Sequence, residues 1–293
     1  MTHPEATTSG QAPPSDQAAK AAAFQALHAR PGAFVIPNPW DAGTARILAA
    51  LGFEALATTS AGLAHALGAR DGAAGRAATL ANARAIVDAT TLPVSADLEN
   101  GFGDTPEAAA GTIRLAAEAG LVGGSIEDAN GDAAHPIYGF DHAVERIAAA
   151  VEAARALPFP FVLTARAENF LHGQPNLDDT IRRLQAFERA GADVLYAPGL
   201  PSMDAVRAVC AAVSRPVNVL AGGSGAAPSV AALTEAGVKR VSLGSALSRA
   251  ALGALMRAAR EIRGSGTFGF AADALPYVEA NGLMRPTLPD AGR

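Results

Sequence analysis

A chain of 293 residues, 49% apolar and 17% charged, is long enough to bury a large core as one big α/β domain or two ordinary ones. Its net charge of −5 comes without basic clusters, which argues against nucleic acid or an anionic membrane surface as a partner. A single cysteine, Cys210, excludes an intramolecular disulfide framework; there is no leader-like N-terminus and no membrane-length apolar run, so the expected location is cytoplasmic.

Residues 1–15 are rich in Thr, Ser, Pro and Gly and are expected to be a disordered tail. A helix is expected from Asp16 until Pro31 and Gly32 end it. From there short apolar runs alternate with Ala-rich helical patterns. The expected strands are Ala33–Pro37, Ala55–Thr59, Pro93–Leu98, Gly123–Glu127, Phe161–Ala165, Val194–Ala197, Pro216–Leu220 and Arg240–Leu243. Helical patterns fall at 41–51, 79–90, 106–119, 141–156, 177–190, 202–213, 228–236 and 246–263. Strict alternation of this kind predicts a single (β/α)8 TIM barrel over 16–263 more readily than a doubly wound sheet. A recurring junction supports it: A-L-G-F, E-A-G-L, R-A-G-A-D and E-A-G-V each put a glycine at a helix C-cap before an even-numbered strand. Residues 264–293 form a C-terminal extension, able to pack on the barrel or on a neighbouring subunit.

In such a barrel, chemistry belongs at the C-terminal strand ends. The stretch P-V-S-A-D-L-E-N-G-F-G at 93–103 is the centre of the pattern. On a strand, Asp97 and Glu99 share one face, and paired acids repel unless a cation or proton lies between them. The other strand ends supply Asn38, Trp40, Ser60, Ala61, Gly62, Asp71, Glu127, Asp128, Arg166, Glu168, Tyr196 and Asn218. Acids converging from the third and fourth strands, with Asp71 near, suit a hard oxygen-ligand site for Mg2+ or Mn2+. Solvated loop acids are the plainer reading of the same residues.

Read together, N-P-W-D-A-G-T-A-R-I, T-T-S-A-G-L-A-H-A-L-G-A-R-D-G, A-D-L-E-N-G-F-G, G-S-I-E-D and T-A-R-A-E-N-F resemble the isocitrate lyase/phosphoenolpyruvate mutase superfamily. The resemblance covers about 31–262. It implies that Asp97 is the acid nearest a Mg2+, with Glu99 and Glu127 holding its waters. It implies further that Asp71 faces the substrate and that the Ser60, Ala61 and Gly62 amides hold a substrate oxyanion. Arg166 would neutralise a developing enolate, while Trp40 and Asn218 would line the substrate pocket. Members are typically homotetramers in which the eighth helix is exchanged between paired subunits; a homodimer or homotetramer is therefore expected.

The resemblance stops at the reaction. The lyases carry a K-K-C-G-H type loop after the fourth strand, where this chain reads E-D-A-N-G-D-A-A-H-P-I-Y-G-F; the mutase P-K-x-N loop is also missing. N-V-L-A-G-G replaces the lyase N-x-T-E-F-G after the seventh strand. Cys210 falls on the apolar side of a helix pattern and reads as structural. His135 reads either as an exposed loop histidine or as a general acid carried on a lid over 130–140. G-G-S-G at 222–225 reads as an ordinary turn before it reads as a phosphate cradle. The two lysines, Lys20 and Lys239, lie away from the mouth, which argues against Schiff-base chemistry. Three readings remain: a Mg2+-dependent lyase or decarboxylase of a small 2-oxo or 2-hydroxy dicarboxylate, a phosphonate mutase or hydrolase, and a non-catalytic ligand-binding homologue.

Overall fold

The computed structural model describes residues 16–222 and 228–285. The expected tail at 1–15 and most of G-G-S-G lie outside the described residues. The apolar runs form eight strands: β1 (Phe34–Ile36), β2 (Leu56–Ala57), β3 (Val94–Asp97), β4 (Gly123–Glu127), β5 (Val162–Arg166), β6 (Val194–Tyr196), β7 (Val217–Leu220) and β8 (Arg240–Ser242). Helices α1 (Asp16–Ala29), α2 (Ala42–Ala50), α3 (Ser60–Ala66), α4 (Gly75–Asp88), α5 (Pro106–Glu118) and α6 (Phe140–Arg155) occupy the first half. Helices α7 (Leu177–Arg189), α8 (Met203–Ala212), α9 (Val230–Glu235), α10 (Ala246–Ser265) and α11 (Tyr277–Leu283) follow.

All strand pairs are parallel, in the order β1-β8-β7-β6-β5-β4-β3-β2. The seam between β2 and β1 is closed by the Ala57 amide donating to Pro37 O (3.0 Å) and Asn38 Nδ2 donating to Thr58 O (2.9 Å). The eight strands thus form a nearly closed (β/α)8 barrel. Junction glycines Gly52, Gly120, Gly191 and Gly237 all have positive φ, between 85° and 101°, which a Cβ would oppose. Fully buried Leu56, Ile86, Ile113, Ile126, Phe161 and Phe187 lie in the core, where each is worth roughly 1.5–3 kcal/mol of transfer free energy.

Helix α1 plugs the N-terminal end of the barrel. Its Ala21, Phe24 and Leu27 pack among Phe34, Val122, Val162 and Val194 from the strands. Behind them the β8 side chain Arg240 is buried without a carboxylate partner among the described residues; it donates to Asn218 Oδ1 and Thr164 Oγ1 (both 2.9 Å) and faces His28 Nε2 at 3.5 Å. Burial lowers its pKa to about 10.

One feature differs from the sequence expectation: the turn after β2 is itself helical, because Thr59 caps α3 by accepting from the Gly62 amide. Helix α10 stands away from the barrel: Ser248 is its one buried residue, while Leu252, Leu255, Met256 and Ile262 are exposed. Past a 3-10 turn at Gly269–Asp273, α11 returns to its own barrel, where Arg46 Nη1 donates to Arg285 O (2.8 Å) beside α2.

Candidate active site at the barrel mouth

The turn after β3 is where the backbone departs most from the expected strand. β3 ends at Asp97, and Glu99 adopts a left-handed conformation with φ of 49°. Asp97 and Glu99 therefore do not share a strand face, as their spacing had predicted; the turn, not the pleat, aims Glu99. For a residue with a Cβ this conformation costs about 1–2 kcal/mol. Surrounding bonds impose it. The Glu127 amide donates to Glu99 O (3.0 Å), the Gly101 amide to Leu98 O (2.8 Å) and Thr112 Oγ1 to Gly101 O (2.7 Å). Arg146, 1% exposed, adds Gly103 O (2.7 Å), Thr105 O (3.2 Å) and Asn100 O from behind.

At the end of β5, Arg166 meets three carboxylates: Nη1 to Asp97 (2.9 Å), Nη2 to Glu127 (3.0 Å) and Nε to Glu168 (2.8 Å). Its Cζ lies 5.2 Å from the Tyr196 ring centroid. Burial works against the guanidinium charge, but Glu127, Glu168 and Asp97 outweigh it and hold the pKa well above the ordinary value. Burial and the Glu168, Asp97 and Glu99 charges, opposed by Arg166, raise Glu127 well above the carboxylate range. Burial, then the charges of Asp97 and Asp71, lifts Glu99 to about 7. One layer deeper, Asp128 accepts from the Glu168 amide (2.8 Å) and from Arg183 Nη1 (3.0 Å), and burial raises it to about 6.

Of these groups Glu99, Glu127, Arg166 and Glu168 open onto a cavity of about 540 Å³, lined also by Ser60 and Asp71 after β2, Asn100 after β3, Asn130 in the loop after β4 and His172 in the loop after β5. A larger cleft of about 710 Å³ lies at the opposite end, beside α1 and the starts of β5 to β7, where Arg155 is already paired with Asp193 (2.6 Å). The acids converge at the mouth, so the mouth is the candidate site.

The other expected residues fall as follows. The Ser60 amide donates to Asp97 Oδ2 (3.2 Å) and the Gly62 amide to Thr59, so of the segment Ser60, Ala61 and Gly62 only the Ala61 amide is uncommitted among the described residues. Trp40 lies instead in a smaller apolar cleft with Gly62, Leu252 and Leu255, between α3 and α10. Asn218 is 1% exposed and consumed by the core: it accepts from Arg240 Nε and donates to Ser242 Oγ. Neither Trp40 nor Asn218 is among the residues lining the mouth. His135, with 87% of its side chain exposed, is turned outward. The 130–140 loop, expected as a lid, is tied at its base by the Asn130 amide to Pro136 O (3.0 Å) and the Tyr138 amide to Asp128 O (2.8 Å). Cys210 is half-buried on α8, and burial raises its pKa to about 11. Missed in the sequence were the full role of Glu168 as a partner of Arg166, signalled by R-x-E, and the lining position of His172.

A Mg2+ can be tested against this donor set. Glu99 Oε1 is buried with no hydrogen-bond partner, an orphaned oxygen facing a cluster of like charge. Among the described residues, no three acid or imidazole groups converge closely enough to hold an ion by themselves. The orphaned Glu99 oxygen fits a small, hard cation that keeps most of its waters and takes few protein oxygens directly.

A barrel with an acid-rich mouth around one buried arginine defines the class: an α/β barrel with a charged active-site cavity at the C-terminal strand ends. Comparison with known proteins gives the family. The family model described as phosphoenolpyruvate phosphomutase matches residues 24–263. The chain is 32% identical over 243 residues to the uncharacterised protein Rv1998c of Mycobacterium tuberculosis, covering 82% of this chain and 88% of that one. A solved chain from Burkholderia cenocepacia, provisionally described as a lyase/mutase, is 63% identical with a TM-score of 0.90, covering 92% and 97%. Oxaloacetate acetylhydrolase is 26% identical in its complex with the product oxalate, with a TM-score of 0.81 and coverage of 90% and 93%. It has also been solved with the inhibitor 3,3-difluorooxalacetate. The chain belongs to the isocitrate lyase/phosphoenolpyruvate mutase superfamily, whose members act on small carboxylates and phosphonates.

Proposed function

We propose that this chain is a Mg2+-dependent lyase or decarboxylase that breaks a C–C bond of a small 2-oxo or 2-hydroxy dicarboxylate through an enolate. The observation that carries the reading is Arg166, held by Asp97, Glu127 and Glu168 beside the orphaned Glu99 oxygen. Asp97 would hold the ion, with Glu99 and Glu127 on its waters, and Mn2+ would suit the same oxygens. When bound, the ion supplies a Lewis acid for the carboxylate and keto oxygens of a 2-oxo acid.

The residues of the chain do the rest. Arg166 lies beside the place where enolate charge develops and stabilises it without reorganising, since its neighbours already fix its plane. The free Ala61 amide, at the start of α3, offers the substrate carboxylate a donor. Asp71, at the cavity wall, faces the substrate and orients it. The only cysteine lies on α8 and does not line the mouth, so no thiol serves as general acid there, and a water at the mouth protonates the enolate carbon.

A further part of the proposal is the assembly. The exposed apolar side of α10 is covered by a second copy of the chain, in a homodimer or homotetramer.

The test is a screen of 2-oxo acids, 2-hydroxy acids and phosphonopyruvate, with Mg2+ and with EDTA, following pyruvate, glyoxylate and CO2. Mg2+-dependent consumption of a dicarboxylate is expected, with negligible cleavage of isocitrate; loss of a general acid typically costs about 10² to 10⁴ in rate. Turnover confined to phosphonopyruvate would favour the phosphonate reading that the matched family description suggests. Binding without any turnover would leave a ligand-binding homologue.

A further inference from the structure

The cavity at the mouth is lined by more acid than base. Asp71, Glu99, Glu127 and Glu168 line it, against Arg166 and His172. Each nitrogen of Arg166 already faces a carboxylate. The lining amides are committed as well. Asn100 donates to Tyr138 Oη (3.1 Å) and accepts from the Phe102 amide (2.9 Å). Asn130 donates to His135 O (2.7 Å) and accepts from the Asp132 amide (2.8 Å). Among the described residues, the lining side-chain donors left without a polar partner are the Ser60 hydroxyl and the exposed His172 imidazole.

These two stand at opposite ends of an arc. Ser60 follows β2, next to Asp97, and His172 follows β5, beyond Arg166 and Glu168; β3 and β4 lie between them in the sheet. Neighbouring strands are about 4.8 Å apart, so Arg166 at the end of β5 is one strand spacing from Glu127, and the loop that continues from it brings His172 to the cavity wall. A substrate whose 2-oxo acid end sits over Asp97 and Glu127 can therefore extend its far end toward His172. The His172 backbone is tied down, its amide donating to Glu168 O (3.2 Å). Beyond Ser60 and His172, the described lining has no uncommitted side-chain donor for a third carboxylate.

We infer that His172 is the specificity-determining residue of this cavity, its imidazole N–H donating to the distal carboxylate of a four-carbon 2-oxo dicarboxylate. This rests on the reading of the mouth as a Mg2+-dependent 2-oxo acid site. An acid-rich cavity repels any anion, so the distal carboxylate needs one donor; Ser60 stands beside Asp97 at the ion-holding end, which leaves His172 as the free lining donor away from it. A tricarboxylate would place a further negative charge against the acids with nothing to meet it.

The experiment is calorimetry on the full-length chain with Mg2+, using two probes. Oxalate resembles the 2-oxo acid end alone, and 3,3-difluorooxalacetate adds the distal carboxylate. The variants are His172→Ala, which removes the donor, and His172→Gln, which returns an N–H. Oxalate affinity should stay within about twofold in both variants. Affinity for 3,3-difluorooxalacetate should fall about tenfold in His172→Ala, the worth of one hydrogen bond to a charged group, and recover in large part in His172→Gln. Unchanged difluorooxalacetate binding in His172→Ala, or an equal loss of both probes, would overturn the assignment. A wild-type chain that binds neither probe with Mg2+ would instead overturn the underlying reading of the mouth, and this inference with it.

Discussion

Arg166 is the residue on which the site's electrostatics depend. Three carboxylates are kept near one another by a single buried cation, an arrangement stable only while the cation is present. Removing one partner from a buried charge group typically costs about 3–5 kcal/mol. Arg166→Gln should therefore lower the urea midpoint markedly in EDTA, and Mg2+ should restore part of the loss by supplying the missing positive charge. Equal destabilisation with and without Mg2+ would separate the acids from any ion. The acids and this arginine were legible in the sequence because strand ends can be counted. Depth was not. Trp40 also follows a strand, yet it lies in the cleft beside α10, while Asn218, expected at a strand end, is the second residue of β7 and is drawn into the core by Arg240. A strand-end position does not say whether a neighbouring buried cation will claim the side chain.

Among the elements, the β3 turn and α6 form one unit. Arg146 on α6 donates to the carbonyls of Asn100, Gly103 and Thr105, and its Cζ stacks 4.4 Å from the centroid of Tyr138. Tyr138 Oη in turn donates to Asp104 Oδ1 (2.5 Å), and burial, followed by that bond, raises the phenol to about 12. Arg146→Ala leaves those carbonyls unpaired in a dry environment and should cost about 3 kcal/mol or more of stability by urea unfolding. Because the same bonds hold Glu99 in its left-handed conformation, Mg2+ affinity should fall in the folded variant too. Unaltered Mg2+ affinity would show that the turn holds itself. Helix and strand existence could be read from periodicity and from the capping glycines. The left-handed turn could not, since it is imposed by α6 from a distance of more than 40 residues along the chain.

For the whole molecule, the weak point in acid is the plug. His28 Nδ1 lies 2.8 Å from Phe24 O and so carries the proton, leaving Nε2 toward the Arg240 guanidinium. Burial, and then the charge of Arg240, lowers the His28 pKa to about 3, against 6.5 for the free side chain. Between these values the unfolded chain binds a proton that the folded chain refuses, so stability rises with pH through this window. It is complete above about pH 6.5 and falls as the pH drops, by about 3 kcal/mol at pH 4. His28→Asn should flatten the dependence of the urea midpoint between pH 6.5 and 4. A slope equal to that of the wild type would assign acid sensitivity elsewhere. The barrel was legible at this scale; the plug's charge state was not, since nothing near His28 in sequence announces Arg240.

The proposed cover of α10 by a second copy has a thermodynamic consequence. Twenty residues rise through about 30 Å, and Ser248 is the one residue buried against the parent barrel. If the apolar side of α10 is satisfied by another copy, part of the folding free energy is a binding free energy and obeys mass action. The melting temperature should then climb with protein concentration, and Leu255→Glu should remove the climb while leaving a folded barrel. A melting temperature constant across a hundredfold dilution would mean that each chain is thermodynamically alone.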